Sequence, residues 1–474
     1  MTHFLGITVL PEYFQVEGVD SVISRCLAAG ATAIATSPYV MREVSADQGH
    51  REPPVDAGAG KVRLLERPLW GKHELWVETT PSYSPDLQLY HGTSYRPPER
   101  AEWGVSQGEL IDQIIAASHE AGLELYFQVQ AAIPPGYRVQ FGGPSDEDAP
   151  RMFDNRIPEG RVAKNASLVS YNIRNYQTAL LTDLTNRYPL IDGVRLDWPE
   201  YPPYRLDSIF VDFSTHMEEF AVSNEISLQE IKSTVSDLYS LIHRGLSNDD
   251  LEVLAGSGDL SAWLVSRGID IGLLTEWFSI KALAVSTLLN DAQETLRENA
   301  SPDCRLIAHA FPPPWSRLSG MHFKDIARCC DGIAVKLYTM HWSMMLRYYL
   351  DQIHNLNPEL SEELLIKVLY QYFKISDDSS PVRIMDVKYP GPEDLHARGP
   401  VVQADKIIEA QREAVDTPVY ALIHGYGTLD DFSERFVTAF DAANGQCWLN
   451  RYGYLGDSKL SAIGNYVRAR KSGG

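Results

Sequence analysis

Residues 171–198 read YNIRNYQTALLTDLTNRYPLIDGVRLDW, and the switch of period within them decides the fold. The first eighteen carry apolar side chains at helical spacing, and the last seven alternate as a strand does. The helix-to-strand pair recurs along the whole chain. Strands are predicted at 4–11, 31–37, 123–130, 192–198, 305–311, 332–338, 418–424 and 446–453. Helices fall between them at 18–30, 109–122, 171–188, about 275–299, near 322–330, within 343–415, at 430–443 and at 458–469. Strict alternation implies parallel strands, and eight units imply a closed (β/α)8 TIM barrel. An open doubly wound sheet would carry a glycine-rich phosphate turn after its first strand, and LPEYFQVEG (10–18) has none.

Three stretches interrupt the repeat, after strands 2, 3 and 4. Residues 38–104 hold alternating runs such as HELWVETT (73–80) and read as an excursion with a hairpin. Residues 131–168 are rich in Pro, Gly and Asp and read as a long loop, whereas 209–274 reads as an acidic helical insertion. The expected division is a catalytic barrel over 1–208 and 275–474, with the helical insertion 209–274 between them. Insertions after strands lie on the C-terminal face, where barrel enzymes build their sites.

Parity along each strand then sorts inward from outward side chains. Arg195 and Asp197 share one face of strand four; Val194, Leu196 and Trp198 share the other. The same parity directs Gln128 and Gln130 inward, with His309, Lys336, Tyr338, His424, Asn450 and Tyr452 on the later strands. A ring of polar groups at the strand ends is costly as mere packing. Its bland alternative is internal pairing, Arg195 with Asp197 above all. Asp197 is the strongest single candidate. Glu200 follows in a loop stiffened by Pro199, Pro202 and Pro203, which suits a fixed acid or base; its alternative is a partner for Arg205. Trp198, Tyr201 and Tyr204 offer apolar faces beside it, suited to stacking on a sugar.

IDGVRLDWPEYP (191–202) resembles a segment of a glycoside hydrolase-like TIM-barrel family of bacterial proteins, and GVRLD is distantly similar to the Gly-x-Arg-x-Asp strand of the alpha-amylase family. The likeness extends over about 105–205 and 275–345, through PDCRLIAHAFPPPW and CCDGIAVKLYTMHW. It implies a glycoside hydrolase acting on an oligosaccharide or glycoside, with Asp197 as nucleophile and Arg195 orienting it. Two departures stand out. Amylases keep a glutamate near the end of strand five, where this chain has His309, and IHGYG (423–427) lacks the aspartate they carry after strand seven. A second carboxylate must then come from a loop: Glu200 first, with Glu276 and Glu12 next. Arg195, Trp198, His309, Lys336, Tyr338, His424, Asn450, Gln128 and Glu276 are the expected substrate-binding set.

Two rival readings stay open. Lys336 within strand six is compatible with a Schiff-base aldolase or lyase, and a non-catalytic carbohydrate-binding barrel needs no turnover at all. DAGAGK (56–61) lacks the full phosphate-loop pattern, and SDEDAP (145–150) reads as a solvated loop. No histidine pair has metal-binding spacing, so no metal or cofactor is expected.

Composition bounds the partners. Across 474 residues the net charge is −21, which disfavours nucleic acid, and no apolar run reaches membrane-spanning length. Five cysteines without scaffold spacing and an N-terminus unlike a signal peptide lead us to expect a cytoplasmic location, and a small carbohydrate is the partner that the resemblance implies. Self-association into a homo-oligomer is left open.

Overall fold

The computed structural model describes residues 3–55, 63–138, 140, 142–376, 380–396 and 399–472. The DAGAGK stretch therefore lies outside the described residues. Eleven strands follow in chain order among them: β1 (Phe4–Thr8), β2 (Ala33–Thr36), β3 (Tyr39–Val44), β4 (His50–Glu52), β5 (Leu75–Pro81), β6 (Glu124–Gln130), β7 (Gly193–Asp197), β8 (Arg305–Ala310), β9 (Gly332–Leu337), β10 (Val419–His424) and β11 (Gln446–Asn450). Eight of them close a parallel barrel in the order β1-β11-β10-β9-β8-β7-β6-β2, sealed by pairing of β1 with β2. These are the eight strands expected from periodicity, and the fold is an α/β (β/α)8 barrel.

Register fixes which side chains meet inside. Gln130 lies opposite Asp197, Gln128 opposite Arg195, and His424 opposite Asn450. The lower interior is filled by Tyr126, Ile307, Tyr420, Leu422 and Trp448, with Phe4 packed against them. Room for such large rings comes from small residues on the adjoining strands. A methyl group on Gly6 would overlap the Trp448 ring, and one on Gly193 or Gly332 would overlap Tyr126 or Tyr420. The barrel is plugged below by aromatics, so chemistry is confined to its upper end.

The first insertion builds an antiparallel sheet of order β3-β5-β4. The second, over 131–168, forms no named helix or strand among the described residues. The third is helical, with Thr215–Ser223, Leu228–Arg244, Asn248–Ser257 and Leu260–Ser266. It leads into one 29-residue helix, Ile271–Asn299, which starts four residues before the expected Thr275. Asp270 caps it by accepting from the Leu273 N–H at 3.1 Å. By length and composition this helix could cross a membrane, with 44% of its apolar window buried against the rest of the protein. The short helix Pro11–Glu17 was not expected; Pro11 at its first position pre-sets the helical φ and loses no hydrogen bond there.

The insertion and neighbouring helices enclose an apolar cavity of about 440 Å3, lined by Phe210, Trp263, Trp277, Leu318 and Tyr349 among others. No described residue of 209–274 lines the separate cavity at the barrel mouth.

Candidate active site

A cavity of about 200 Å3 opens above the aromatic plug. Strand ends supply Thr8, Gln128, Gln130, Asp197, Lys336, His424 and Asn450, and Trp198 and Tyr338 follow their strands directly. Loops add Arg63, Tyr137, Arg138, Tyr204 and Arg451, the helix Thr339–Leu356 adds His341, and the 3-10 turn Tyr452–Tyr454 adds Tyr454. Asp197 is the one carboxylate among the described residues lining it.

Asp197 ends β7 and is gripped from two strands. Its Oδ1 lies 3.0 Å from Lys336 Nζ on β9 and 3.1 Å from His309 Nδ1 on β8. Burial alone would raise its pKa; the Lys336 ammonium and the His309 ring overcome this and hold the carboxyl well below the usual range. Burial pushes His309 down to about 4, against the pull of Asp197, so the ring is neutral at pH 7. His309 itself is beneath the cavity and not on its surface.

Glu200 is placed differently from the sequence expectation. It is fully buried and does not line the cavity. Its Oε2 accepts from Ser319 Oγ at 2.7 Å and from the Phe311 N–H at 3.4 Å, while Oε1 lies 3.6 Å from Lys336 Nζ. The proline-rich loop does fix it, but behind the lysine. Tyr201 N–H donates to Ser319 O at 3.0 Å and draws the loop inward. Arg205, its alternative partner, instead reaches Gly160 O and packs on Tyr348. Burial, only partly offset by Lys336, pushes the Glu200 pKa up to about 7.

One ammonium thus bridges two carboxyls of opposite tendency, one ionised and one near its midpoint at neutral pH. That divergence is what paired acid and base roles require. Asp197 Oδ1, Glu200 Oε1, Lys336 Nζ and His309 Nδ1 make close contacts but no well-aligned hydrogen bond among the described residues, and His309 Nε2 has no hydrogen-bond partner among them. Buried polar atoms with unspent capacity are unusual outside functional sites.

A pH effect follows from Glu200. Its folded pKa of about 7 exceeds the ordinary 4.5, so its protonated form favours folding. That contribution is complete below about pH 4.5 and is lost as pH rises through 7, a change of about 3 kcal/mol. Denaturant titrations of wild type and Glu200→Gln should show the variant gaining on wild type by about that amount between pH 5 and pH 8. A constant difference across the range would refute the assignment.

Trp198 breaks strand parity. Its φ of +58° turns the ring back into the cavity, although alternation aims it at the helices. It meets Tyr204 edge-on at 6.2 Å, and Lys336 Nζ lies 5.3 Å from the Trp198 ring. Tyr338 OH accepts from Asn450 Nδ2 at 2.6 Å. Tyr452 leaves the ring altogether; it packs edge-on against Tyr13 and donates to Glu17.

Arg195 also departs from its expected role. It donates to Thr8 Oγ1 at 2.9 Å and lies over the Trp448 ring at 3.9 Å, beneath the cavity, without an ion pair to Asp197. Burial lowers its pKa to about 10. Glu276 is exposed on the outside of helix Ile271–Asn299 and does not line the cavity. Glu12 is buried, accepting from Tyr39 OH at 3.0 Å and Arg138 Nη1 at 3.2 Å. Neither alternative second carboxylate therefore reaches the cavity surface.

Sequence reasoning missed three arginines. Arg138 donates to Glu12 and, at 2.6 Å, to Glu52; Arg451 also donates to Glu52. Arg63 Nη1 lies 2.6 Å from His424 Nε2. All three come from loops, where no period announces direction. Arg451, directly after inward Asn450, was the most accessible of them.

No protein-family model and no curated protein matches the chain by sequence. Solved structures do match it. The β-galactosidase of the psychrophilic Marinomonas ef1 aligns with 99% of this chain at a TM-score of 0.51 and 10% identity. The β-galactosidase of the Antarctic haloarchaeon Halorubrum lacusprofundi aligns with 97% at 0.52 and 11%. The likeness is one of fold. This chain spans about three fifths of their length, 60% and 57% respectively. Its barrel is thus one that glycoside hydrolases use, and function rests on the site itself.

Proposed function

We propose that the protein hydrolyses a glycosidic bond, with Asp197 as the carboxylate that attacks the anomeric carbon. The observation that carries this reading is the position of Asp197: ionised, lining the mouth of the barrel beside the Trp198 and Tyr204 rings, and held by Lys336 and His309. A nucleophilic carboxylate must be charged at working pH and fixed in place, and both conditions are met. The distant amylase-like strand supports the same role.

The proton for the leaving oxygen comes from Lys336, whose ammonium lies on the cavity wall with Glu200 behind it. Glu200, with a pKa of about 7, returns a proton to Lys336 once it has been given up. Water then cleaves the glycosyl–Asp197 ester, and the same groups take up its proton. Trp198 stacks on the sugar face, and Gln128, Tyr338 and Asn450 address its hydroxyls.

The Schiff-base alternative also uses Lys336, but it needs a free amine where two carboxylates hold the nitrogen. Initial rates on a panel of aryl glycosides test the choice, alongside borohydride reduction with carbonyl sugars. Release of the aryl group by wild type and no reduced adduct on Lys336 are expected. A reduced adduct on Lys336 with no glycoside turnover would overturn the hydrolase reading.

A further inference from the structure

Lys281, on helix Ile271–Asn299, is fully buried. Its Nζ donates to Leu318 O at 2.7 Å and to Ile209 O at 2.9 Å. The same nitrogen lies 5.0 Å from the Trp277 ring and 5.6 Å from the Tyr201 ring. Burial pulls its pKa down to about 7, against the pull of Asp212. Charged or neutral, the amine keeps an N–H for each carbonyl. Burying a lysine with only carbonyl partners is costly, whereas a methionine would fill the same space at no such cost.

The two carbonyls belong to segments that converge on Glu200. Ile209 sits in the 3-10 turn Asp207–Phe210, where the helical insertion begins. Leu318 ends the short helix Trp315–Leu318 that follows β8, and Ser319 comes next. Ser319 Oγ donates to Glu200 Oε2 at 2.7 Å, yet Ser316 O is within its reach at 2.8 Å. A hydroxyl has one proton, so the placement of residue 319 decides which acceptor it serves. Lys281 holds both neighbours of that serine. Its side chain holds Leu318 O, and its backbone abuts Gly320, where φ is +86° and a methyl group would come within 2.9 Å of Lys281 O.

We propose that Lys281 is a positioning residue that holds the Ser319 hydroxyl on Glu200 and ties the start of the helical insertion to that carboxyl. Lys336 and Asp197 are the charged groups that bear on Glu200, and the Ser319 hydroxyl and Phe311 amide are its donors. The serine bond favours the ionised carboxyl and so opposes burial. When Leu318 is released the hydroxyl turns to Ser316 O, and Glu200 keeps its proton to higher pH. The clamp rests on the contacts of Lys281; the part of Glu200 in catalysis rests on the function proposed above.

The test is a pH titration of the full chain, carbon-13-labelled at its glutamate carboxyls and read by NMR. The Glu200 signal is the one lost in Glu200→Gln, and in wild type its midpoint should lie at about 7. Ser319→Ala should raise the proton affinity about 10-fold, the increment for one hydrogen bond to a charged group. Lys281→Met should raise it by a comparable factor, and the double variant no further than Ser319→Ala alone. Lys281→Gln is shorter by one atom and holds at most one of the two carbonyls, so it should shift the midpoint the same way by less. It is the variant to read if Lys281→Met fails to fold, as thermal melts establish. A midpoint unchanged in a folded Lys281 variant, or shifts of Lys281→Met and Ser319→Ala that add in full, would overturn the proposal. On any glycoside turned over, the alkaline limb of kcat/KM should move up with the midpoint. Shifted midpoints without glycoside turnover would sink the hydrolase reading alone. Turnover with an unmoved midpoint in the Lys281 variants would sink this one alone.

Discussion

Asp197→Asn should lower kcat on any glycoside the protein turns over by roughly 10^3-fold, about 4 kcal/mol of transition-state stabilisation. The substitution preserves shape and removes only charge. Asparagine cannot form the glycosyl ester, and it leaves Lys336 with Glu200 as its one remaining carboxylate partner. KM should move by less than about 3-fold, because stacking on Trp198 and the contacts to Tyr338 and Asn450 are untouched, so the loss falls on kcat. Initial rates over a range of substrate concentrations check this. Activity within 10-fold of wild type would place the nucleophile elsewhere.

Lys336→Met should carry the largest stability cost. The ammonium stands between two carboxyls, and its removal leaves a buried anion at Asp197 with no cation in contact. Breaking a buried pair from one side costs about 3–5 kcal/mol. The Asp197 pKa, depressed in the native protein, contributes stability that is present above the ordinary 3.8 and lost as pH falls below it. Without Lys336 that contribution disappears. At pH 8 both carboxyls are charged and repel; at pH 5 Glu200 is protonated and the penalty shrinks. The double variant Lys336→Met with Glu200→Gln should therefore recover part of the loss at pH 8 and little at pH 5. Denaturant titrations of the two variants at both pH values measure the difference. Equal losses at both pH values would mean that Lys336 is not what balances these two carboxyls.

Much of the site's location was legible in the sequence because period-two alternation is a hard constraint. Arg195, Asp197, His309, Lys336, His424 and Asn450 all face inward as their parity requires. Parity says nothing of depth, however. Arg195 lies one layer lower than Asp197 and packs on Trp448, a ring whose space depends on Gly6, far away in sequence but on the adjoining strand β1. Trp198 escaped because one left-handed residue reverses the direction that alternation assigns. Glu200 was rightly seen as fixed by prolines, but the side of Lys336 on which it sits depends on Ser319 and the Phe311 amide, more than a hundred residues away. Arg63, Arg138 and Arg451 come from loops whose course is set by tertiary contacts such as the shared Glu52. Glu276 sits on a helix that looks equally plausible on any face until its packing is known.

The central claim is that Asp197 bonds to the anomeric carbon. The most direct measurement is the mass of the Asp197-bearing peptide after incubation with a 2-deoxy-2-fluoro glycoside of whichever sugar is turned over. A mass increase of one fluoroglycosyl unit on Asp197, absent in Asp197→Asn, is the result this account predicts. A label on Glu200 or Lys336 instead, or turnover that persists in Asp197→Asn with no label on any residue, would contradict it.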